Sequence, residues 1–300
     1  MPAVFYQPID RRQFLGRAAE ALAVLGLASS VKTWAAGSAG ETTPVHLALL
    51  SDTHVAADPK FENRKFLPCE NLKTVVAQVG DARPEAVILN GDVAKAAGEI
   101  EDYEAVKKLL APLAAQMPVY IGLGNHDHRD NLGKVLDSDA AVRPAVAGKR
   151  VRVIERPAIR VLLLDSLLYT NQTAGLLGKA QREWLGHYLE TSDPRSTVLF
   201  VHHTLGEGDG DLLDVERLFR IIQPHRKVKA IFYGHSHEFA LDEKEGVHLV
   251  NVPAVGYNFK ESEPVGWVEA RFTPTGVELI LRAVGGNRSQ DGKVTSLAWG

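Results

Sequence analysis

The sequence predicts an α/β fold, a four-layer α/β/β/α sandwich of two mixed sheets with helices outside. Three observations predict it. Short apolar runs bounded by Gly, Asp and Asn alternate with helix-periodic segments through the first half of the chain. Consecutive strand-like runs then follow one another near the end. Finally, five of the apolar runs, at 45–50, 86–89, 119–121, 197–201 and 230–232, lead directly into clusters of His, Asp and Asn. In open α/β sheets, functional groups gather beyond the carboxyl ends of the strands.

The run at 45–51 reads as the first strand and delivers Asp52-Thr53-His54. Residues 55–68 are polar and irregular, a loop over that end. Leu72, Val75, Val76 and Val79 fall at helical spacing over 71–79, and Pro84 restarts the chain ahead of the strand that ends in Gly91-Asp92. The spacing of Tyr103, Val106, Leu109, Leu110 and Leu113 predicts a helix over 99–115. Pro118 opens a third strand ending in Gly124-Asn125-His126-Asp127, with a short helix at 131–136. Segments 151–155 and 159–165 form a hairpin around Arg156-Pro157. A helix at 178–190 precedes the strand that ends in His202-His203. A helix at 211–222 precedes the strand that ends in Gly234-His235-Ser236-His237. Strands at 247–252, 266–272 and 276–281 complete the domain, which runs from 44 to 284. The segment 285–300 has little periodicity and is left as a C-terminal tail.

Composition excludes several classes. Of 300 residues, 24% are charged and 45% hydrophobic, a soluble globular balance with no linker through the middle. A formal charge of −3 disfavours nucleic acid as a partner. The single Cys69 cannot form an intramolecular disulfide and reads as a small packing residue.

Residues 1–36 read as an export signal. Arg11-Arg12-Gln13-Phe14-Leu15 resembles a twin-arginine motif, and a weakly apolar stretch and the small residues of 35–40 follow it. This implies the twin-arginine translocase as a transient partner, a periplasmic or otherwise exported location and no transmembrane span in the mature chain. The competing reading is an amphipathic N-terminal helix that stays on the protein. Oligomeric state is left open.

Each of the five clusters is a weak signal alone: Gly-Asp after a strand is usually a turn, and a buried His is usually a satisfied core residue. Together they hold six of the eleven histidines: His54, His126, His202, His203, His235 and His237. Burying these beside Asp52, Asp92 and Asn125 without a cation is expensive. A donor set of His, Asp and Asn without thiolate suits Mn, Fe or Zn, and seven candidate ligands argue for two divalent ions sharing a carboxylate.

The ordered set Asp-x-His, Gly-Asp, Gly-Asn-His-Asp, His, Gly-His-x-His, spanning Asp52 to His237, resembles the calcineurin-like metallophosphoesterase superfamily. The resemblance implies the metallo-dependent phosphatase fold. It implies one ion held by Asp52, His54, Asp92 and His237, and another by Asp92, Asn125, His202 and His235. It also makes His126 the catalytic histidine and Asp127 its orienting partner. The reaction implied is hydrolysis of a phosphodiester or phosphomonoester by a metal-bridging hydroxide, with His126 assisting and Mn or Fe favoured over Zn. Val93-Ala94-Lys95-Ala96 after the Gly-Asp differs from the protein phosphatase branch, and Lys95 stands where purple acid phosphatases carry an iron-binding tyrosine. The compact size, and Leu164-Asp165-Ser166 followed by Gly178, Gln181 and Trp184-Leu185, are closer to the bacterial class III cyclic-nucleotide phosphodiesterase-like group. Intracellular cAMP is an odd target for an exported enzyme; extracellular nucleotides or glycerophosphodiesters fit export better. The alternative from another class is a non-catalytic metal-binding or cell-envelope interaction protein on the same fold.

His203 has two open roles, contact with phosphate or support of a neighbouring ligand. His128 and Arg129 read as a solvated helix start, and Arg64, Lys65, Tyr257 and Phe259 as loop candidates for substrate contact.

Overall fold

The computed structural model describes residues 43–136 and 145–300. The twin-arginine reading falls on residues 1–36, outside the described residues. In chain order the elements are β1 (Val45–Leu50), α1 (Pro68–Ala82), β2 (Ala86–Leu89), α2 (Ile100–Ala114), β3 (Val119–Ile121), α3 (Arg129–Leu136), β4 (Arg152–Glu155) and β5 (Arg160–Leu163). Then come α4 (Lys179–Thr191), β6 (Thr197–Phe200), α5 (Val215–Ile222), β7 (Val228–Tyr233), β8 (Ala240–Lys244), β9 (Val247–Asn251), β10 (Pro264–Thr273), β11 (Gly276–Gly286) and β12 (Val294–Ala298).

Two six-stranded mixed sheets result, ordered β12-β11-β10-β1-β2-β3 and β4-β5-β6-β7-β9-β8. β1, β2 and β3 run parallel, as do β5, β6, β7 and β9. All five predicted ligand-bearing strand ends therefore lie at the carboxyl edges of parallel ladders.

Strand alternation builds the layers. Along β1, Ala48 and Leu50 pack with Leu72, Val75 and Val79 of α1 and Tyr103, Val106 and Leu110 of α2. Leu47 and Leu49 face the other way, meeting Val161, Leu163, Val198, Phe200 and Phe232 of the second sheet. Beyond it, Leu162, Leu199 and Ile231 pack on Leu185 and Leu189 of α4 and on Leu218, Phe219 and Ile222 of α5. Both faces of these strands are covered, so they read as unbroken apolar runs rather than alternating ones. The expected four-layer α/β/β/α sandwich forms.

Two strands fall outside the sequence reading. β8 (Ala-Leu-Asp-Glu-Lys) is an exposed edge strand with no apolar face. β12 lies within 285–300, the segment set apart as a tail. It pairs antiparallel with β11 from Ile280↔Val294 to Gly276↔Ala298, so that segment is part of the first sheet, whose pairing runs past residue 284. The helix read over 211–222 is shorter, because residues 211–214 form a turn in which Asp214 accepts from Leu177 and Gly178 N–H.

Candidate metal centre

The ligand-bearing turns are held in unusual backbone conformations. Asp52, His54, Asp92, His235 and His237 all have positive φ, between 45° and 70°. Non-glycine residues rarely adopt this region, and they persist there only where surrounding structure over-determines them. Here it does: Asp52 N–H donates to Gly91 O, His54 N–H to Asp92 O, and Gly256 N–H to Asp52 O, all at 2.9–3.0 Å. Gly124 and Gly234 are required by proximity, since a Cβ at either would collide with the carboxylate of Asp92 or Asp52 respectively.

These turns bring the predicted ligands together. Asp52 with His54 and His237, and Asp92 with His202 and His235, each form a group whose donor atoms lie within 4.8 Å of one another; His54, Asp92 and His126 form a third. His237 Nε2 is 3.4 Å from Asp52 Oδ1, and His202 Nε2 is 3.4 Å from Asp92 Oδ2. His54 Nε2 is 3.7 Å from Asp92 Oδ2. Asn125 is 3% exposed, and its Oδ1 has no hydrogen-bond partner, as is true of Asp52 Oδ1 and His202 Nε2. Buried acceptors left unpaired are costly. A cation among them removes that cost.

The imidazoles are pre-set for this. Each turns one ring nitrogen to a backbone carbonyl: His54 Nδ1 to Lys95 O, His126 Nδ1 to Ala96 O, His202 Nδ1 to Asn90 O, His235 Nε2 to Gly210 O and His237 Nδ1 to Tyr257 O. Since a carbonyl only accepts, the proton of each neutral ring sits there, and the opposite nitrogen offers a lone pair. Five rings sharing this tautomer logic around two carboxylates and an amide oxygen fit divalent cations.

The electrostatics agree. Burial pushes His54 down to about 4 and also lowers His235. Burial opposes the charged form of Asp92 as well, but His202, His54 and His126 together outweigh it and hold the carboxyl well below its usual range. His202 goes the other way: burial opposes a proton there, yet Asp92 and Asp52 raise it to about 10. The protein alone thus places a proton where the carboxylates call for positive charge, and protons and metal compete for that place.

One assigned role is corrected. Asp127 does not reach the His126 imidazole, whose Nδ1 is taken by Ala96 O at 2.8 Å. The Asp127 carboxylate is fully buried and accepts from Gly124, Val93 and Ala94 N–H and from Tyr103 Oη. Burial pushes its pKa to about 6. Nor does it cap α3; Tyr103 Oη accepts the His128 N–H instead. Asp127 ties the turn after β2 to the turn after β3, because every nearby donor is backbone or tyrosine.

His203 is fully buried and hydrogen-bonds Ser166 Oγ at 2.7 Å, with its ring 5.0 Å from that of His235. Its Nε2, also buried, has no hydrogen-bond partner. Arg129 is committed to buried Asp165. Gln181 brackets the Asp165 backbone, giving the Asp-Ser and Gln positions of the resemblance a structural purpose. Tyr257 and Phe259 do line the cleft over the cluster, about 230 Å³, together with Thr173, which sequence reasoning missed. The five orienting carbonyls were also missed, and no side-chain signal marks them.

A model of the calcineurin-like phosphoesterase family matches residues 45–239. A probable cyclic nucleotide phosphodiesterase of Synechococcus sp. is 26% identical over 246 residues, covering 79% of this chain and 91% of the relative. A glycerophosphodiester phosphodiesterase of Enterobacter lignolyticus is 26% identical over 234 residues, covering 73% and 81%. Among solved structures, a dimetal phosphatase from Danio rerio superposes with a TM-score of 0.67 at 16% identity, covering 86% of this chain and all of that one. With the match spanning all five ligand turns and seven of the twelve strands, the chain belongs to the calcineurin-like phosphoesterase family.

Proposed function

We propose that this phosphoric ester hydrolase is an exported phosphodiesterase that works with two divalent ions, manganese or iron. The observation that carries the reading is the set of imidazoles locked by backbone carbonyls around Asp52, Asp92 and Asn125. Asp52, His54, Asp92 and His237 would hold one ion, and Asp92, Asn125, His202 and His235 the other. Bound there, such ions supply a nucleophilic water at neutral pH and neutralise phosphoryl charge.

The chain's own residues do the rest. His126 is half-buried at the cleft, and its Nδ1 proton is committed to Ala96 O. Its Nε2 is therefore an acceptor in the neutral ring and a donor only in the imidazolium. Protonating the leaving oxygen therefore requires the imidazolium form. Phosphodiesters are favoured over monoesters by relatives named for cyclic nucleotide and glycerophosphodiester hydrolysis. Export is supported by the paired arginines of residues 11–12 and the small residues of 35–40.

The test is hydrolysis of bis-p-nitrophenyl phosphate against p-nitrophenyl phosphate, after chelation and after Mn²⁺ is restored. The diester should turn over faster, chelation should bring the rate to background, and Mn²⁺ should restore it. Full activity in chelator would end the metal reading, and a preference for the monoester would end the diesterase reading.

A further inference from the structure

Phe259 is a large apolar side chain, 46% exposed, on the wall of the metal cleft. Its ring stacks on that of His237, with centroids 4.1 Å apart and planes at 18°. The Arg64 guanidinium lies over the same ring, 5.1 Å from its centroid. Arg64 also donates weakly to Phe259 O at 3.5 Å. Among the described residues no carboxylate is paired with it. Tyr257, 7% exposed, packs between His54, His237 and Phe259 and fixes the base of this stack. An exposed ring is not needed to orient His237, because Tyr257 O already does so.

We propose that Phe259 and Arg64 form a flat, cationic shelf at the cleft mouth that selects diesters carrying a planar aromatic substituent, a nucleobase or an aryl ring. The proposal rests on the phosphodiesterase reading above and deepens it. The physical basis is that the planar guanidinium, held on a Phe259 ring whose other face lies on His237, can stack on an aromatic substituent, while a glycerol or alkyl substituent offers it nothing comparable. Stacking of this kind is worth ~1–3 kcal/mol per base, about fivefold to over a hundredfold in affinity.

The experiment compares kcat/KM for bis-p-nitrophenyl phosphate and methyl p-nitrophenyl phosphate. Both release p-nitrophenolate, and only the retained substituent differs. Taking the ratio of the two in wild type, Phe259→Leu and Arg64→Ala cancels intrinsic reactivity. The aryl-to-methyl ratio should fall about tenfold in each variant. An equal fall on both esters would show that Phe259 merely props His237, and an unchanged ratio would equally overturn the shelf. A second arm needs no turnover: calorimetric binding of adenosine monophosphate and glycerol 3-phosphate to the Mn²⁺-loaded protein. Adenosine monophosphate should bind about tenfold tighter in wild type, with the gap closing in both variants. Equal affinities in wild type overturn the shelf even if neither ester is hydrolysed, whereas absent hydrolysis with the gap intact counts against the enzyme reading alone.

Discussion

The two sheets bring different chemistry to the cleft. The turns after β1, β2 and β3 supply every candidate oxygen donor, Asp52, Asp92 and Asn125, with His54 and His126. The turns after β6 and β7 supply imidazoles only, His202, His235 and His237. Polar bonds cross between the halves here: Asn90 Nδ2 donates to Val201 O, His202 Nδ1 to Asn90 O, and His235 N–H to Asp52 Oδ2. Away from the site the layer between the sheets is mainly apolar, with polar contacts at its edges such as Ser196 Oγ to Pro274 O. The difference teaches where charge balance is set. Neutral imidazoles add affinity and geometry, while the first sheet's two buried carboxylates create the demand for cations.

Removing a carboxylate should therefore cost more than removing an imidazole. Asp92→Asn is expected to abolish turnover, by about 10³-fold or more, since Asp92 adjoins both ligand groups and the amide keeps its size but not its charge. His237→Ala should lose less, a drop in metal affinity that added Mn²⁺ partly restores. Metal content by elemental analysis, measured with the rates, separates the two. Equal losses in both variants would break the contrast between the sheets.

His126→Ala sharpens it further, because His126 sits on the first sheet but outside the proposed ligand sets. Bound metal should be unchanged. The rate should fall by ~10²–10⁴ on a diester with an alkoxide leaving group. It should fall much less on p-nitrophenyl esters, whose leaving group needs no acid. A variant whose loss does not depend on the leaving group would remove His126 as the proton donor.

The legibility of these halves differed in a related way. The ligand words were readable because parallel strands buried on both faces give unbroken apolar runs, and each run stops at a polar turn. Helix boundaries came within a few residues for α2 and α4, where one face is strongly apolar. β8 and β12 were not legible, because edge strands half in solvent need no apolar pattern. Nothing in His202-His203 says which ring faces inward; the end of β6 decides it, turning His203 back onto Ser166. The Asp127 error has a specific source. The role was carried over from the family resemblance, whereas successive side chains leaving a tight turn point apart, and Asp127 turned toward the donors of the neighbouring turn.

The smallest expected effect tests that last assignment. Tyr103 Oη donates to Asp127 Oδ1 at 3.0 Å and accepts from His128 N–H at 2.8 Å, all within the first sheet's side of the site. Tyr103→Phe keeps the ring, which is fully buried against α1 and β2, and removes only the hydroxyl. The His128 N–H then loses its acceptor, for a cost of ~1–3 kcal/mol in stability by denaturant unfolding. The second sheet's imidazoles keep their carbonyl partners, so metal content should stay at the wild-type level. The rate should drop only severalfold, because Asp127 still holds three backbone donors and the Asn125-His126 turn relaxes without collapsing. If Asp127 instead oriented His126 directly, loosening it would distort the pH–rate profile as well as lower the rate. An unaltered profile alongside reduced stability is the signature of a brace.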